Sequence, residues 1–382
     1  MFEWPLRTSL FEAVERRAFV EGLRVDATNG AGDKRSRRKP EPYGGNSRGA
    51  GNGRYAHHPD DLYGALDLGT NNCRLLIATP TDGGFTVVDA FSRIVRLGER
   101  LSRTGRLHDQ AMARTVDALR VCANKLKWRN VSKARLVATE ACRMAENGAE
   151  FIARVTAETG LELEIIDRET EAILAATGAE PLIDPAAETA LVFDIGGGST
   201  EIMWMIRKGS RFEIAAWISL AAGVVTLSER FGGGVDVTAH SFAAMRDFLR
   251  PLLAEFAGRI SAITGQAAVP SHLLGTSGTV TTIAGVQLGL ARYDRSKVDG
   301  CWLDSAAIGG VTAALLAMSY DDRAANPCIG RERADLVLAG CAILEEIRVT
   351  FPAERIRVAD RGLREGILTQ LMKQDGSYGR KQ

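Results

Sequence analysis

The sequence predicts an α/β protein of two similar lobes around a deep cleft, and three short stretches carry the prediction. The first is Leu191-Val-Phe-Asp-Ile-Gly-Gly-Gly-Ser-Thr-Glu-Ile202, an apolar run ending in a carboxylate, three glycines and two hydroxyls. The second, Gly64-Ala-Leu-Asp-Leu-Gly-Thr-Asn-Asn-Cys-Arg-Leu-Leu-Ile77, repeats that order upstream. The third, Leu274-Gly-Thr-Ser-Gly-Thr-Val-Thr-Thr-Ile283, follows another apolar run. Gly196, Gly197 and Gly198 are expected to allow a turn with positive φ whose N–H groups point together at an anion, with Ser199 and Thr200 as hydroxyl donors. A Gly-rich hairpin without a ligand is the competing reading of any one stretch, whereas three such loops could converge on one polyanion.

Composition narrows the function classes. With 382 residues, 45% hydrophobic and 25% charged, the chain is ample for a large core and for two domains with a tail. A formal charge of +1 gives no bulk drive toward nucleic acid, so anion recognition must be local and no specific nucleic-acid partner is expected. Cys73, Cys122, Cys142, Cys301, Cys328 and Cys341 are scattered without C-x-x-C spacing and read as reduced, packed thiols. His57, His58, His108, His240 and His272 form no H-x-x-x-H or His-Asp pair, which excludes a zincin or an HD-type phosphohydrolase site. No apolar run reaches membrane-span length and no signal peptide is written, so the cytoplasm is the expected compartment and no membrane partner is expected.

Residues 1–61 are expected to be an N-terminal extension. A short amphipathic helix fits the first 24 positions, but from Gly30 to Gly53 seven of 24 residues are glycine, and Lys34-Arg-Ser-Arg-Arg-Lys39 is a basic run. Such a segment buries too little apolar surface to offset its ordering entropy and reads as a disordered, solvated tail.

The first lobe, 62–185, opens as a β-meander with strands at Ala65–Asp67, Arg74–Thr79 and Phe85–Ala90. Arg93, Arg96, Arg100, Arg103 and Arg106 then form either a solvated surface or an anion-facing rim. Apolar periodicity predicts a helix over Asp109–Trp128, a parallel strand at Ala134–Ala138, a helix Asn147–Glu158, a strand Leu163–Ile166, and a helix Glu169–Thr177 capped by Asp167. Glu140 and Arg143 lie just past the end of a parallel strand, where ligands gather, and are site candidates against a plain ion pair. The second lobe, 186–382, repeats the order. It has strands at Glu201–Met205 and Phe212–Ile218, a helix Val224–Arg230, and a helical stretch Thr238–Ile263 that Pro251 should kink or break. A strand at His272–Leu274, helices around Asp304–Met318 and Ala334–Thr350, a strand Ile356–Val358 and a last helix that packs back on the first lobe complete it. Arg292-Tyr-Asp-Arg-Ser-Lys297 is a solvated loop or part of a polyanion path.

Taken together, Ala65-Leu-Asp-Leu-Gly-Thr-Asn71, Ala138-Thr-Glu-Ala-Cys-Arg143, Glu169-Thr-Glu-Ala172, Val192-Phe-Asp-Ile-Gly-Gly-Gly-Ser-Thr-Glu201, Gly275-Thr-Ser-Gly-Thr279 and Asp360-Arg-Gly-Leu-Arg-Glu-Gly366 resemble the exopolyphosphatase / guanosine pentaphosphate phosphohydrolase family over Leu62 to Lys373. The resemblance implies the actin-like, sugar-kinase-like superfold, with two duplicated ribonuclease H-like lobes around a central cleft. It implies that Glu171 is the catalytic base, that Asp67, Asp194 and Glu201 support Mg²⁺ and water, and that Arg143 holds phosphate. Gly69, Thr70, Asn71 and Asn72 would form one phosphate arm, facing Gly196 to Thr200, with Gly275, Thr276, Ser277 and Gly278 as a third. Expected substrates are inorganic polyphosphate, losing its terminal orthophosphate, or guanosine pentaphosphate, losing its γ-phosphate. A polyphosphate:nucleoside diphosphate phosphotransferase and a non-catalytic alarmone or nucleotide binder are the alternatives, and a homodimer is an expected assembly. With no histidine after His272, the chain resembles a short form without the C-terminal HD-type domain. Two departures bear on substrate preference: the third loop is less glycine-rich than in many relatives, and Thr226 stands where an arginine is often seen.

Overall fold

Strands form where the apolar runs fall, and their pairing is written twice. The computed structural model describes residues 61–378, so the expectations for residues 1–60 lie outside it. In the first sheet β1 (Tyr63–Leu68), β2 (Asn72–Thr81) and β3 (Gly84–Ile94) form an antiparallel meander, and β4 (Lys133–Ala138) and β5 (Glu164–Ile165) add in parallel beyond β1. The order is β3-β2-β1-β4-β5. In the second sheet β6 (Thr189–Ile195), β7 (Thr200–Lys208) and β8 (Arg211–Leu220) repeat the meander, with β9 (His272–Thr276) and β11 (Arg355–Ala359) parallel beyond β6. A short antiparallel strand, β10 (Trp302–Asp304), is added at the edge to give β8-β7-β6-β9-β11-β10. This is the duplicated, two-lobed ribonuclease H-like architecture that the sequence predicts. The central strands β1 and β6 are buried along almost their whole length, as parallel-sheet interiors require.

The described residues form one compact unit, in which the two lobes exchange a helix. The helix Arg168–Ala179 follows β5 of the first sheet, yet Ala172, Ala175, Ala176 and Ala179 pack on Val192, Met203, Met205 and Leu274 of the second. The final helix, Leu363–Gln374, follows β11 of the second sheet, yet Ile367, Leu368 and Met372 pack on Tyr63, Ala65, Leu76 and Val137 of the first. Where these helices cross, side chains would keep the backbones apart. A Cβ on Gly178 would lie 1.9 Å from the Gly362 carbonyl oxygen, and one on Gly366 2.0 Å from that of Leu174.

Pro251 does not break the stretch, because Ala239–Thr264 is one continuous helix. The missing N–H costs about 3 kcal/mol. Phe242, Met245, Leu249, Leu253, Phe256 and Ile260 are all buried on that helix, at about 1.5–3 kcal/mol each, so packing outweighs the proline.

His272, in β9, is buried and accepts the Asp184 N–H at Nε2 (3.2 Å), which leaves Nδ1–H to donate to the Leu273 carbonyl at 3.0 Å. Burial holds its imidazole below the usual value, so the fold keeps it neutral where the unfolded chain takes up a proton. Its contribution to stability is therefore full above a pH of about 6.5 and is lost as the pH falls through that value, at no more than about 1.4 kcal/mol per pH unit. Urea midpoints measured against pH should show this acid-side loss in the wild type and lack it in His272→Gln; parallel curves would refute it.

Candidate active site

Two hairpins with the same backbone and different chemistry build the site. In the first, Asp67 is the last residue but one of β1 and the Gly69 N–H donates to the Asn72 carbonyl at 2.9 Å; in the second, Asp194 is the last residue but one of β6 and the Gly196 N–H donates to the Ser199 carbonyl at 2.9 Å. Across the hairpins Asp67 stands opposite Arg74, and Asp194 opposite Glu201. Equivalent positions thus carry a cation in one lobe and an acid in the other.

The glycines serve a different purpose from the one expected. None of Gly69, Gly196, Gly197 and Gly198 has a positive φ. Gly197 and Gly198 are needed because the loops touch. A Cβ on Gly197 would lie 3.0 Å from Thr70 Cβ, and one on Gly198 would lie 2.6 Å from Thr70 Oγ1 and 2.9 Å from Glu140 Cγ. The Gly196 and Gly197 carbonyls accept from the Val224 and Val225 N–H groups at 2.9 and 2.8 Å, which ties up two acceptors that would repel an anion. Thr226 stabilises the same loop, since its hydroxyl donates to the Gly198 carbonyl at 3.1 Å.

The loops open into a cleft of about 730 Å³. Asp67, Asp194, Glu201 and Glu171 all line it, as do Gly69, Thr70, Asn71 and Asn72 from the first lobe. From the second lobe come Gly196, Gly197, Gly198 and Ser199, then Ser277 and Gly278. The amide oxygen of Asn71 is buried there without a protein partner.

Four of the expected phosphate ligands do not line this cleft. Thr200 is fully buried and its hydroxyl donates to the Ala222 carbonyl at 2.6 Å. Gly275 lies inside β9, where a Cβ would meet the Phe193 ring at 2.6 Å. Thr276 donates to the Arg361 carbonyl at 2.7 Å and borders a small side cavity. Arg143 is taken up by protein acceptors. Its guanidinium pairs with Glu140, donates to the Ile166 carbonyl at 2.6 Å and reaches Glu171 Oε2 at 3.0 Å. Glu140 is anchored in turn by Arg168 at 2.8 Å, so Arg143 positions Glu171 instead of facing the cleft. Of the arginine run only Arg93 lines the cleft, while Arg96 pairs with Asp335 at 2.8 Å and Arg106 with Glu146 at 3.4 Å. In the basic loop Arg295 donates to the Asp360 carbonyl at 2.6 Å.

Besides Arg93, positive charge comes from three residues that the sequence reading did not single out as ligands: Arg74, Arg333 and Arg364 all line the cleft. Burial holds Arg364 and Arg333 below the usual guanidinium value, and the Arg74 charge pushes both further down. Arg74 was legible in principle, since it occupies the Glu201 position of the repeat. Arg364 sits inside a quoted motif, and Arg333 carries no local signal.

The acids are displaced in the opposite direction. Burial, then repulsion from Asp67, raises Asp194 to about 6. Burial, then repulsion from Asp194, raises Glu201 to about 7. Burial also raises Asp67. Glu171 is pushed well above the usual carboxylate range by burial, then by Glu201, against the lowering pull of Arg143. The Asp167 carboxylate accepts the Thr170 N–H at 2.7 Å and so fixes the start of the helix that carries Glu171.

Two ribonuclease H-like lobes that meet at a cleft lined by crowded arginines and crowded carboxylates place the protein among the phosphoryl-handling enzymes of that architecture. It belongs to the Ppx/GppA phosphatase family, whose model matches residues 76–375. It is 31% identical over 324 residues to exopolyphosphatase 2 of Mycobacterium tuberculosis, covering 80% of this chain and 97% of that protein. Among solved structures, the Ppx/GppA family member of Aquifex aeolicus is 29% identical with a TM-score of 0.68, over 82% of this chain and 98% of that one. An exopolyphosphatase from Cytophaga hutchinsonii is 25% identical with a TM-score of 0.74, over 83% and 98% of the two chains.

Proposed function

We propose that this phosphatase is a Mg²⁺-dependent exopolyphosphatase, releasing terminal orthophosphate from inorganic polyphosphate, with the γ-phosphate of guanosine pentaphosphate as a second substrate. One observation carries the reading: the cleft is lined by half-buried arginines that repel one another beside half-buried or buried carboxylates that do the same. A polyanion relieves the first set and a divalent cation the second. Phosphoryl transfer to water needs that pairing of charges, an oriented water, and little covalent chemistry from the protein.

The donors fit Mg²⁺ in a particular way. Among the described residues no group of three or more His, Cys, Asp or Glu side chains is gathered closely enough to cage an ion. Mg²⁺ keeps most of its waters and takes one or two carboxylates, so Asp67 and Asp194 would hold it, with Glu201 acting through water. When bound, the ion neutralises charge on the phosphate oxygens. The protein's own part is to hold the terminal phosphate in the cleft that the Thr70 and Gly197 loops line together, to bind the following phosphates with Arg74, Arg333 and Arg364, and to accept the water proton at Glu171. A carboxyl raised toward neutrality is suited to that last task.

Phosphate release should be measured side by side on long polyphosphate, tripolyphosphate and guanosine pentaphosphate. Release is expected from long polyphosphate, and no release from any of the three would overturn the reading. Without substrate, Mg²⁺ is expected to raise the melting temperature of the wild type and not that of an Asp67→Asn, Asp194→Asn double variant. An equal shift in both would remove these carboxylates from the ion site.

A further inference from the structure

Arg96 does not line the cleft, yet it joins two parts of the cleft wall that come from different lobes. Its backbone N–H donates to the Asn71 carbonyl at 3.1 Å, next to the Val95 N–H at 2.9 Å, and the Gly98 N–H donates to the Thr70 carbonyl at 2.9 Å. The segment from Val95 to Gly98 therefore backs the Thr70–Asn71 loop of the first lobe. The fit is close, since a Cβ on Gly98 would lie 2.2 Å from Thr70 Cγ2.

From that position the half-buried Arg96 side chain reaches the second lobe. Nη1 donates to Asp335 Oδ2 at 2.8 Å, and Nη2 donates to Asp335 Oδ1 at 3.0 Å and to the Glu332 carbonyl at 3.1 Å. These acceptors flank Arg333, which lines the cleft. The Arg333 guanidinium itself donates to the Thr282 hydroxyl and to the Ile329 and Cys328 carbonyls, all neutral groups, so its charge is left for a ligand. A second tie runs from the same segment: Glu229, on the helix Val224–Arg230, accepts the Arg100 N–H at 2.6 Å and the Ser102 hydroxyl. That helix supports the Gly196–Gly197 loop through its first two N–H groups. Arg96 and its neighbours thus fasten the first phosphate loop to the supports of the other cationic and glycine-rich walls.

We infer that Arg96 is a positioning residue, whose fork on Asp335 and the Glu332 carbonyl sets the distance between the Thr70–Asn71 loop and Arg333, and so the spacing at which successive phosphates of one substrate chain are held. The inference rests on the reading of the cleft as a polyphosphate site and adds to it a residue that touches no substrate. A guanidinium is suited to this role because its planar donors can hold a carboxylate and a carbonyl at once, which an ammonium does less well.

Arg96→Ala keeps the backbone N–H to Asn71 and, at a φ of 49°, has the same left-handed backbone as arginine. It removes only the fork. The KM for tripolyphosphate and for long polyphosphate should rise about tenfold, as expected for the loss of charged hydrogen bonds, while kcat changes little. Inhibition by orthophosphate, which occupies the terminal position alone, should stay at the wild-type level. Asp335→Ala should raise KM in the same way although it shifts the net charge in the opposite direction, and the double variant should be no worse than either single one, because the two side chains act as a pair. Arg106→Ala, which removes an exposed ion pair with Glu146 inside the first lobe, should leave KM unchanged. If Arg96→Ala leaves KM unchanged, or if Arg106→Ala raises it equally, the positioning role is wrong while the enzyme reading stands. If KM, kcat and orthophosphate inhibition all worsen together with the melting temperature, Arg96 is a structural residue only. If the wild type releases no phosphate from any polyphosphate, the polyphosphate reading falls and this inference with it.

Discussion

Glu171→Gln is expected to reduce phosphate release about 10²–10⁴-fold without lowering the melting temperature. The amide keeps an oxygen where Glu171 accepts from Arg143 at 3.0 Å, so the local geometry survives. It removes a charge that burial and Glu201 both disfavour, since they push the Glu171 carboxyl well above its usual range. Loss of rate together with equal or higher stability distinguishes a proton acceptor from a structural acid, whose replacement would lower both. Release at the wild-type rate would take the base role away from Glu171.

The second large effect lies at the helix crossing. Gly178→Ala and Gly366→Ala each place a Cβ about 2 Å from a backbone carbonyl oxygen of the other helix, and no flexible side chain can give way. Each is expected to destabilise the protein by about 3 kcal/mol or more, at the upper end of overpacking effects. Gly258→Ala is the matched control. It lies on the exposed face of Ala239–Thr264 with nothing within 4 Å of its Cβ position, and there alanine should add up to about 1 kcal/mol. Denaturant midpoints for the three variants decide the matter, and equal midpoints would show that the backbones are not in contact at the crossing.

Most elements were legible because their apolar periods are strong. The helix Asp109–Trp128 has the bounds that its buried stripe predicts, and the paired Asp/Gly motifs mark the start of each lobe. What stayed hidden depends on positions far apart in the chain. Consecutive glycines suggest turns of unusual φ, but at Gly197 and Gly198 the reason is Thr70 and Glu140 arriving from the other lobe. Arg143 carries a charge suited to phosphate, and only the folded arrangement shows that Glu140, Glu171 and Ile166 occupy it. Arg333 reaches the cleft from a loop with no motif, bonded to Thr282 at 3.0 Å.

The exchanged helices also set the order in which the chain can be completed during synthesis. Tyr63 and Asp375, 312 positions apart, are joined by a 2.8 Å hydrogen bond, and the face of β1 beside it is covered by Ile367, Leu368 and Met372. At ribosomal speed that cover arrives roughly half a minute after the strand it protects. Until then the nascent first sheet carries a bare apolar face, so the earliest part of the described fold to be made is among the last to close. The interval for which that face stays uncovered is thus set by where the last helix is encoded, not by how fast the first lobe folds.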